Sequence, residues 1–138
     1  MYTIQAVEVD DPIDLESEIL SDRVIRGQNN KTREFKILRG GSVVGLLIYE
    51  GEGQLYDFIY EIFVLAEFRG SGVGTWILMY AEQIAARLGR SGVRLIARSL
   101  FQDELNDDDL TSWYEGKGYV RSPTENSMLE KRFSLAPS

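Results

Sequence analysis

The 138-residue chain contains neither cysteine nor histidine. The first absence excludes disulfides, a thiol nucleophile and thiolate metal ligation. The second removes the imidazole that usually serves as a base at neutral pH. Any catalytic base must then be a carboxylate, a tyrosine, a lysine or an ordered water. Serine-histidine and cysteine-histidine chemistry are both ruled out, and no residue spacing suggests a metal site. Also missing is an apolar run near the roughly 20 residues that span a bilayer. The stretch from Met1 to Asp10 has neither a basic start nor an apolar signal core. The expectation is a soluble, cytoplasmic protein. Basic residues are outnumbered, 15 against 22 acidic ones, for a formal charge of -7. That balance opposes docking on nucleic acid or an anionic membrane and suits a cationic partner.

What is present fits one domain over residues 1–138: 43% hydrophobic residues and a mean hydropathy of -0.20 suffice for a single core. Tyr2 to Val9 alternates as a first strand. Asp11 before Pro12 reads as a helix N-cap, and Leu15, Ile19, Leu20 and Val24 give a helix over Ile13 to Arg26 that Gly27 closes. Arg33 to Leu38, Gly40-Gly41 and Val43 to Tyr49 form a hairpin. Tyr56 to Leu65 is a long strand and Val93 to Ser99 a shorter one. Between them Thr75 to Leu88 is an amphipathic helix whose stripe of Trp76, Ile77, Tyr80, Ile84 and Leu88 is expected to pack on the sheet. Strand, crossover helix, strand makes the two strands parallel. A second helix from Asp107 to Gly116, a last strand from Ser127 to Phe133 and a frayed tail over 134–138 complete the reading.

The most informative segment is Arg69-Gly70-Ser71-Gly72-Val73-Gly74, between the long strand and the crossover helix. A glycine-rich turn opening a helix bares main-chain N–H groups at the positive end of the helix dipole, which suits a pyrophosphate. It is not a Walker A loop, since no Gly-Lys-Ser/Thr follows. Nor does it carry the third glycine and the distant acidic residue of the dinucleotide fingerprint.

The stretch Val64 to Gly74 resembles motif A of the GNAT superfamily of acetyl-CoA-dependent N-acetyltransferases, Arg/Gln-x-x-Gly-x-Gly/Ala. Arg69, Gly72 and Gly74 fill its fixed positions, and Ala66 stands where many members have proline. Trp113-Tyr114-Glu115-Gly116-Lys117-Gly118-Tyr119 is similar to the aromatic-Tyr-Glu-Lys-x-Gly-aromatic segment near the end of that fold. The two motifs occur in the family's order with a strand between them, and the likeness covers Tyr56 to Phe133. It implies a mixed α/β fold, a mostly antiparallel sheet with one splayed parallel pair.

The resemblance further implies that Arg69, Gly70, Ser71, Gly72, Val73 and Gly74 hold the pyrophosphate of coenzyme A. Phe63, Val64 and Leu65 would bond its pantetheine arm, with a bulge there splaying the strand. The Val64 N–H would face the thioester carbonyl, as an oxyanion donor typically worth about 2.7–4 kcal/mol. Tyr114 matches the tyrosine that protonates the leaving thiolate in many members, or else it is a core aromatic.

For the base, alternation puts Glu61 on the face of Phe63, with Asp57 on that same face farther from the splay. Glu61 is either the base, directly or through water, or a strand residue bonded to a basic neighbour. Asp103, Glu104, Asp107, Asp108 and Asp109 read as complements of a helix N-terminus or as a selector of cationic substrates. Asn106 or Asp107 stands where many relatives carry a cofactor-holding asparagine. Arg87, Arg90, Arg98 and Lys117 are surface charges or contacts to the 3′-phosphate. With a single helix between the first two strands, the acceptor site is expected to be open.

The implied reaction is direct attack of a primary amine on acetyl-CoA in a ternary complex, since no residue set exists to carry an acyl-enzyme. The acceptor is a small-molecule amine or a protein amine, and relatives commonly form homodimers. The alternative classes are a coenzyme A-binding regulatory domain without turnover and an interaction module in which the glycine loop is only a turn.

Overall fold

The computed structural model describes residues 3–10, 15, 17–29, 31–51, 55–98, 105–125 and 127–133. Seven strands form one sheet in the order β1-β2-β3-β4-β5-β7-β6. They are β1 Ile4–Glu8, β2 Thr32–Arg39, β3 Ser42–Glu50, β4 Tyr56–Val64, β5 Gly92–Ile96, β6 Val120–Arg121 and β7 Met128–Arg132. All neighbouring pairs are antiparallel except β4 and β5. The helices are α1 Glu18–Gly27, α2 Val73–Arg87 and α3 Asp107–Gly116.

Two apolar clusters sandwich the sheet. On one face Leu20 and Val24 of α1 pack with Leu15, Leu46, Ile48 and Phe63. On the other, Val73, Ile77, Leu78, Ala81 and Ala85 of α2 pack with Ile59, Val64, Val93 and Leu95, and Tyr114 and Tyr119 extend that cluster. The buried stripe of α2 is thus rotated from the expected one. Ile77 lies at its centre, Trp76 and Tyr80 stack on each other at 5.4 Å along its flank, and Leu88 is exposed. Leu88 falls one residue beyond the helix, where the turn carries it off the sheet.

Helix α1 starts at Glu18, five residues later than the apolar spacing suggests. Its cap is Ser17, whose Oγ accepts from the Leu20 N–H at 3.4 Å. The cap expected at Asp11 and the frayed tail at 134–138 both lie outside the described residues.

Strand β4 contains the feature that builds the site. Ile48 pairs with Glu61 and Tyr49 with Ile59, leaving Tyr60 as an extra residue, a β-bulge. The bulge therefore sits at Tyr60, ahead of the Phe63 to Leu65 position expected from the resemblance. It reverses which residues share a face: Asp57 and Ile59 lie with the α2 cluster, whereas Glu61 and Phe63 lie on the α1 side. Asp57 is consequently not a companion of Glu61. It is fully buried on the opposite face, accepting from the Tyr49 hydroxyl at 2.6 Å and from Arg90 Nε at 3.1 Å. This pairing satisfies a charge that would be costly to bury alone and removes Asp57 and Arg90 from any role in a cleft.

Beyond the bulge the parallel pair comes apart. β4 meets β5 only where Tyr56, Asp57 and Phe58 face Gly92, Val93 and Arg94. From there to Val64 the β5-facing edge of β4 is without its partner strand.

Candidate active site

The split between β4 and β5 opens into a cleft of about 670 Å³ that runs from the α1 face of the sheet to the head of α2. Its floor is β4, with Ile62 and Val64. Tyr114 and Trp113 of α3 close one side, and Gly70, Gly72 and Gly74 close the end.

That end is made by main-chain geometry. After β4 a 3-10 turn over Ala66–Phe68 leads to Gly70 and Gly72, at φ 77° and 89°, in the left-handed region that glycine tolerates. Gly72 is the cap of α2, so the helix begins at Val73, two residues earlier than its apolar pattern indicates, and Gly74 lies in its first turn. The Arg69 N–H donates to the Ala66 carbonyl at 3.4 Å. The N–H groups of Gly70, Ser71, Gly72, Val73 and Gly74 meet no acceptor among the described residues. The Ser71 hydroxyl donates to the Phe68 carbonyl at 2.5 Å and Arg69 Nε to the Val64 carbonyl at 3.0 Å, so side chains pin the loop and leave its amides bare. A Cβ added at Gly74 would meet nothing within 4 Å. Space and donors together fit a diphosphate at a helix head.

Of the three strand residues expected along the pantetheine arm, the geometry leaves one. The Leu65 N–H donates to the Val44 carbonyl at 2.9 Å, toward β3. By alternation Phe63 also turns its main chain to β3, opposite Leu46, and its ring into the α1 cluster. Val64 faces the split, and the other residue of that parity is Ile62, which lines the cleft. Period-2 spacing from Val64 puts Ile62 on the same edge, but only the parting of β4 from β5 opens that edge to a cleft.

Tyr114 is 8% exposed and lines the cleft, and burial pushes its phenol up to about 12. Its ring meets Trp113 and Tyr119 edge-on, at 5.0 and 5.5 Å. The Tyr119 hydroxyl donates to Glu82 at 2.8 Å, and Lys131 donates to the same carboxylate at 3.2 Å. These contacts fix the aromatic wall behind Tyr114.

Glu61 lines the cleft on its α1 side. Both of its oxygens are engaged by Arg23 of α1, at 3.0 Å from Nε and 2.5 Å from Nη2. The Glu61 side chain is 8% exposed, and the Arg23 guanidinium also lies over the Phe63 ring. This is the reading in which Glu61 is bonded to a basic neighbour, and it also keeps the carboxylate at the cleft wall. Arg23 was missed from sequence, because nothing local to α1 identifies its partner on β4.

Asn106, not Asp107, caps α3, accepting from the Asp109 N–H at 2.8 Å. Asp107, Asp108 and Asp109 lie exposed in its first turn, complementing the helix dipole. Asp103 and Glu104 lie outside the described residues. Lys117 rests over the Trp113 ring, and Arg98 lines the cleft. No group of three or more acidic residues among those described is placed to hold a metal, and no described helix is long and apolar enough to cross a membrane.

A bare amide cradle at a helix head, joined to a split parallel pair and overhung by a phenol, is the architecture of an acyltransferase. The family model described as Acetyltransferase (GNAT) domain matches residues 31–121, and the chain belongs to that family. No curated protein sequence matches it significantly. Among solved structures it is similar to the ribosomal-protein-S18-alanine N-acetyltransferase of Escherichia coli, with a TM-score of 0.70 and 16% identity, covering 99% of this chain and 97% of that one. It is also similar to the PaiA N-acetyltransferase of Thermoplasma acidophilum in complex with coenzyme A, with a TM-score of 0.66 and 16% identity, covering 95% and 99%. A GNAT family acetyltransferase of Elizabethkingia anophelis with acetyl-CoA bound has a TM-score of 0.64 and 15% identity, covering 96% and 98%.

Proposed function

We propose that the whole chain acts as one catalytic domain that transfers an acetyl group from acetyl-CoA to a primary amine within a ternary complex. The observation that carries this reading is the row of amides from Gly70 to Gly74, without an acceptor among the described residues, over open space at the head of α2. They hold the diphosphate, and Ile62 and Val64 bond the pantetheine arm along the vacated edge of β4. Acetyl-CoA supplies the activated acyl group. The Val64 N–H, directed into the split, donates to the charge that develops on the thioester oxygen. Tyr114, protonated at neutral pH, gives its proton to the departing sulfur. Glu61, held by Arg23 on the α1 side of the split, takes the proton of the incoming ammonium through water.

Calorimetric titration of the purified chain with acetyl-CoA, followed by an amine panel read as release of coenzyme A thiol, tests the assignment. The thiol readout is clean because the protein has no cysteine. Absence of acetyl-CoA binding at millimolar ligand would overturn it, and binding without transfer to any amine would leave a regulatory domain.

Gly74→Ala tests how much room the head of α2 leaves. The added methyl meets no protein atom, and alanine is favoured over glycine in a helix by up to about 1 kcal/mol, so the melting temperature should hold or rise. Acetyl-CoA affinity should stay within about threefold of wild type, because the GNAT motif admits alanine at this position and the methyl enters open space. A loss of roughly tenfold or more would show that the diphosphate lies against the Gly74 Cα, where no side chain is tolerated.

A further inference from the structure

Charge within the cleft runs against the charge of the chain. The described lining carries three arginines, Arg23, Arg69 and Arg98, and one carboxylate, Glu61, although the whole protein stands at -7. Glu61 is held by Arg23 in a two-point ion pair that balances the Arg23 charge. Arg69 is tied to the Val64 carbonyl at the cofactor end. Arg98 is exposed and, among the described residues, makes no ion pair.

Its place in the fold sets Arg98 at the end of the strand that diverges from β4. Val93 and Leu95 pack into the α2 cluster, so Arg94 and Ile96 alternate to the α1 face, and Arg98 follows two residues beyond the end of β5 at the cleft wall. The face of Arg94 and Ile96 is that of Arg23 and Glu61, across the sheet from the head of α2. Arg98 lines the cleft as the exposed cation just past that strand.

On the reading that the cleft performs amine acetylation, we infer that the acceptor is a small amine bearing a carboxylate, an amino acid, whose carboxylate pairs with Arg98 while its amine lies toward Glu61. A guanidinium presents a planar fork that matches a carboxylate. A diamine would instead place its second cation against Arg98. The acidic exterior does not reverse this, since charges beyond about 8 Å are largely screened at physiological salt. A protein N-terminus lacks the α-carboxylate and so lacks the pairing group.

The test is acetylation of the common amino acids, of their primary amides and of cadaverine by the intact protein. The expected kcat/KM is roughly tenfold or more higher for acid than for amide, the scale of a hydrogen bond to a charged group. Arg98→Ala should bring that ratio to within about twofold by raising the acceptor KM more than the acetyl-CoA KM, and Arg98→Lys should restore part of it. Equal or better use of amides, of cadaverine or of peptide N-termini overturns the inference. So does a loss in Arg98→Ala that falls on the acetyl-CoA KM. Should acetyl-CoA bind without transfer, calorimetry of amino acid against amide on the coenzyme A complex still decides: tighter binding of the acid supports the inference and equal binding overturns it. Failure of acetyl-CoA itself to bind would instead strike the proposed activity.

Discussion

Tyr114→Phe is expected to lower turnover about a hundredfold while leaving acetyl-CoA affinity and melting temperature nearly unchanged, the usual scale for loss of a positioned acid. The substitution keeps the ring that packs against Trp113 and Tyr119 and deletes only the hydroxyl. No hydrogen-bond partner of that hydroxyl exists among the described residues, so the fold loses no internal bond with it. Steady-state kinetics with coenzyme A release, alongside calorimetry and thermal unfolding, separates the two effects. Wild-type turnover in the variant would reduce Tyr114 to a packing residue.

Alkaline pH should unfold the protein steeply. Tyr49, Tyr114 and Tyr119 are all buried, and burial raises each phenol above its ordinary value of about 10. Hydrogen bonds to Asp57 and Glu82 push Tyr49 and Tyr119 further in the same direction. Below pH 10 both folded and unfolded chains keep these protons, and the stability is fully present. Above it the unfolded chain releases protons that the folded chain retains, so stability falls as pH rises. Each retained proton contributes a slope of about 1.4 kcal/mol per pH unit, and the three together about 4, with the Tyr114 share ending near pH 12. Urea unfolding at several pH values, followed by circular dichroism with tyrosinate absorbance as a parallel probe, measures the slope. Tyr119→Phe should remove about a third of it. A flat stability profile between pH 10 and 11.5 would refute the account.

Local chemistry made much of this molecule legible. The glycine turn identified the cradle because left-handed φ at Gly70 and Gly72 and an open helix head are properties of a few adjacent residues. The hairpin of β2 and β3, the crossover and α3 followed from periodicity and turns in the same way. What escaped was set by events between distant segments. The extra residue at Tyr60 is defined only by the register of β4 against β3, and without it strict alternation groups Asp57 with Glu61. Arg23 and Glu61 are 38 residues apart, so their pairing depends on where α1 lands on the sheet. The residue that caps α3 was ambiguous because Asn106 and the aspartates after it are all good cap formers, and the bond from the Asp109 N–H to Asn106 assigns the cap.

The divergence of β4 from β5 leaves a vacant lane in the interior of a sheet, where an ordinary fold would have a continuous ladder. A ligand that fills that lane does what a neighbouring strand would do for the backbone. At a hundred times its dissociation constant it adds about 2.7 kcal/mol to the folded state. Acyl donor supply would then set the protein's lifetime as well as its rate: starvation for it would slow the reaction and, at the same time, expose the chain to proteases.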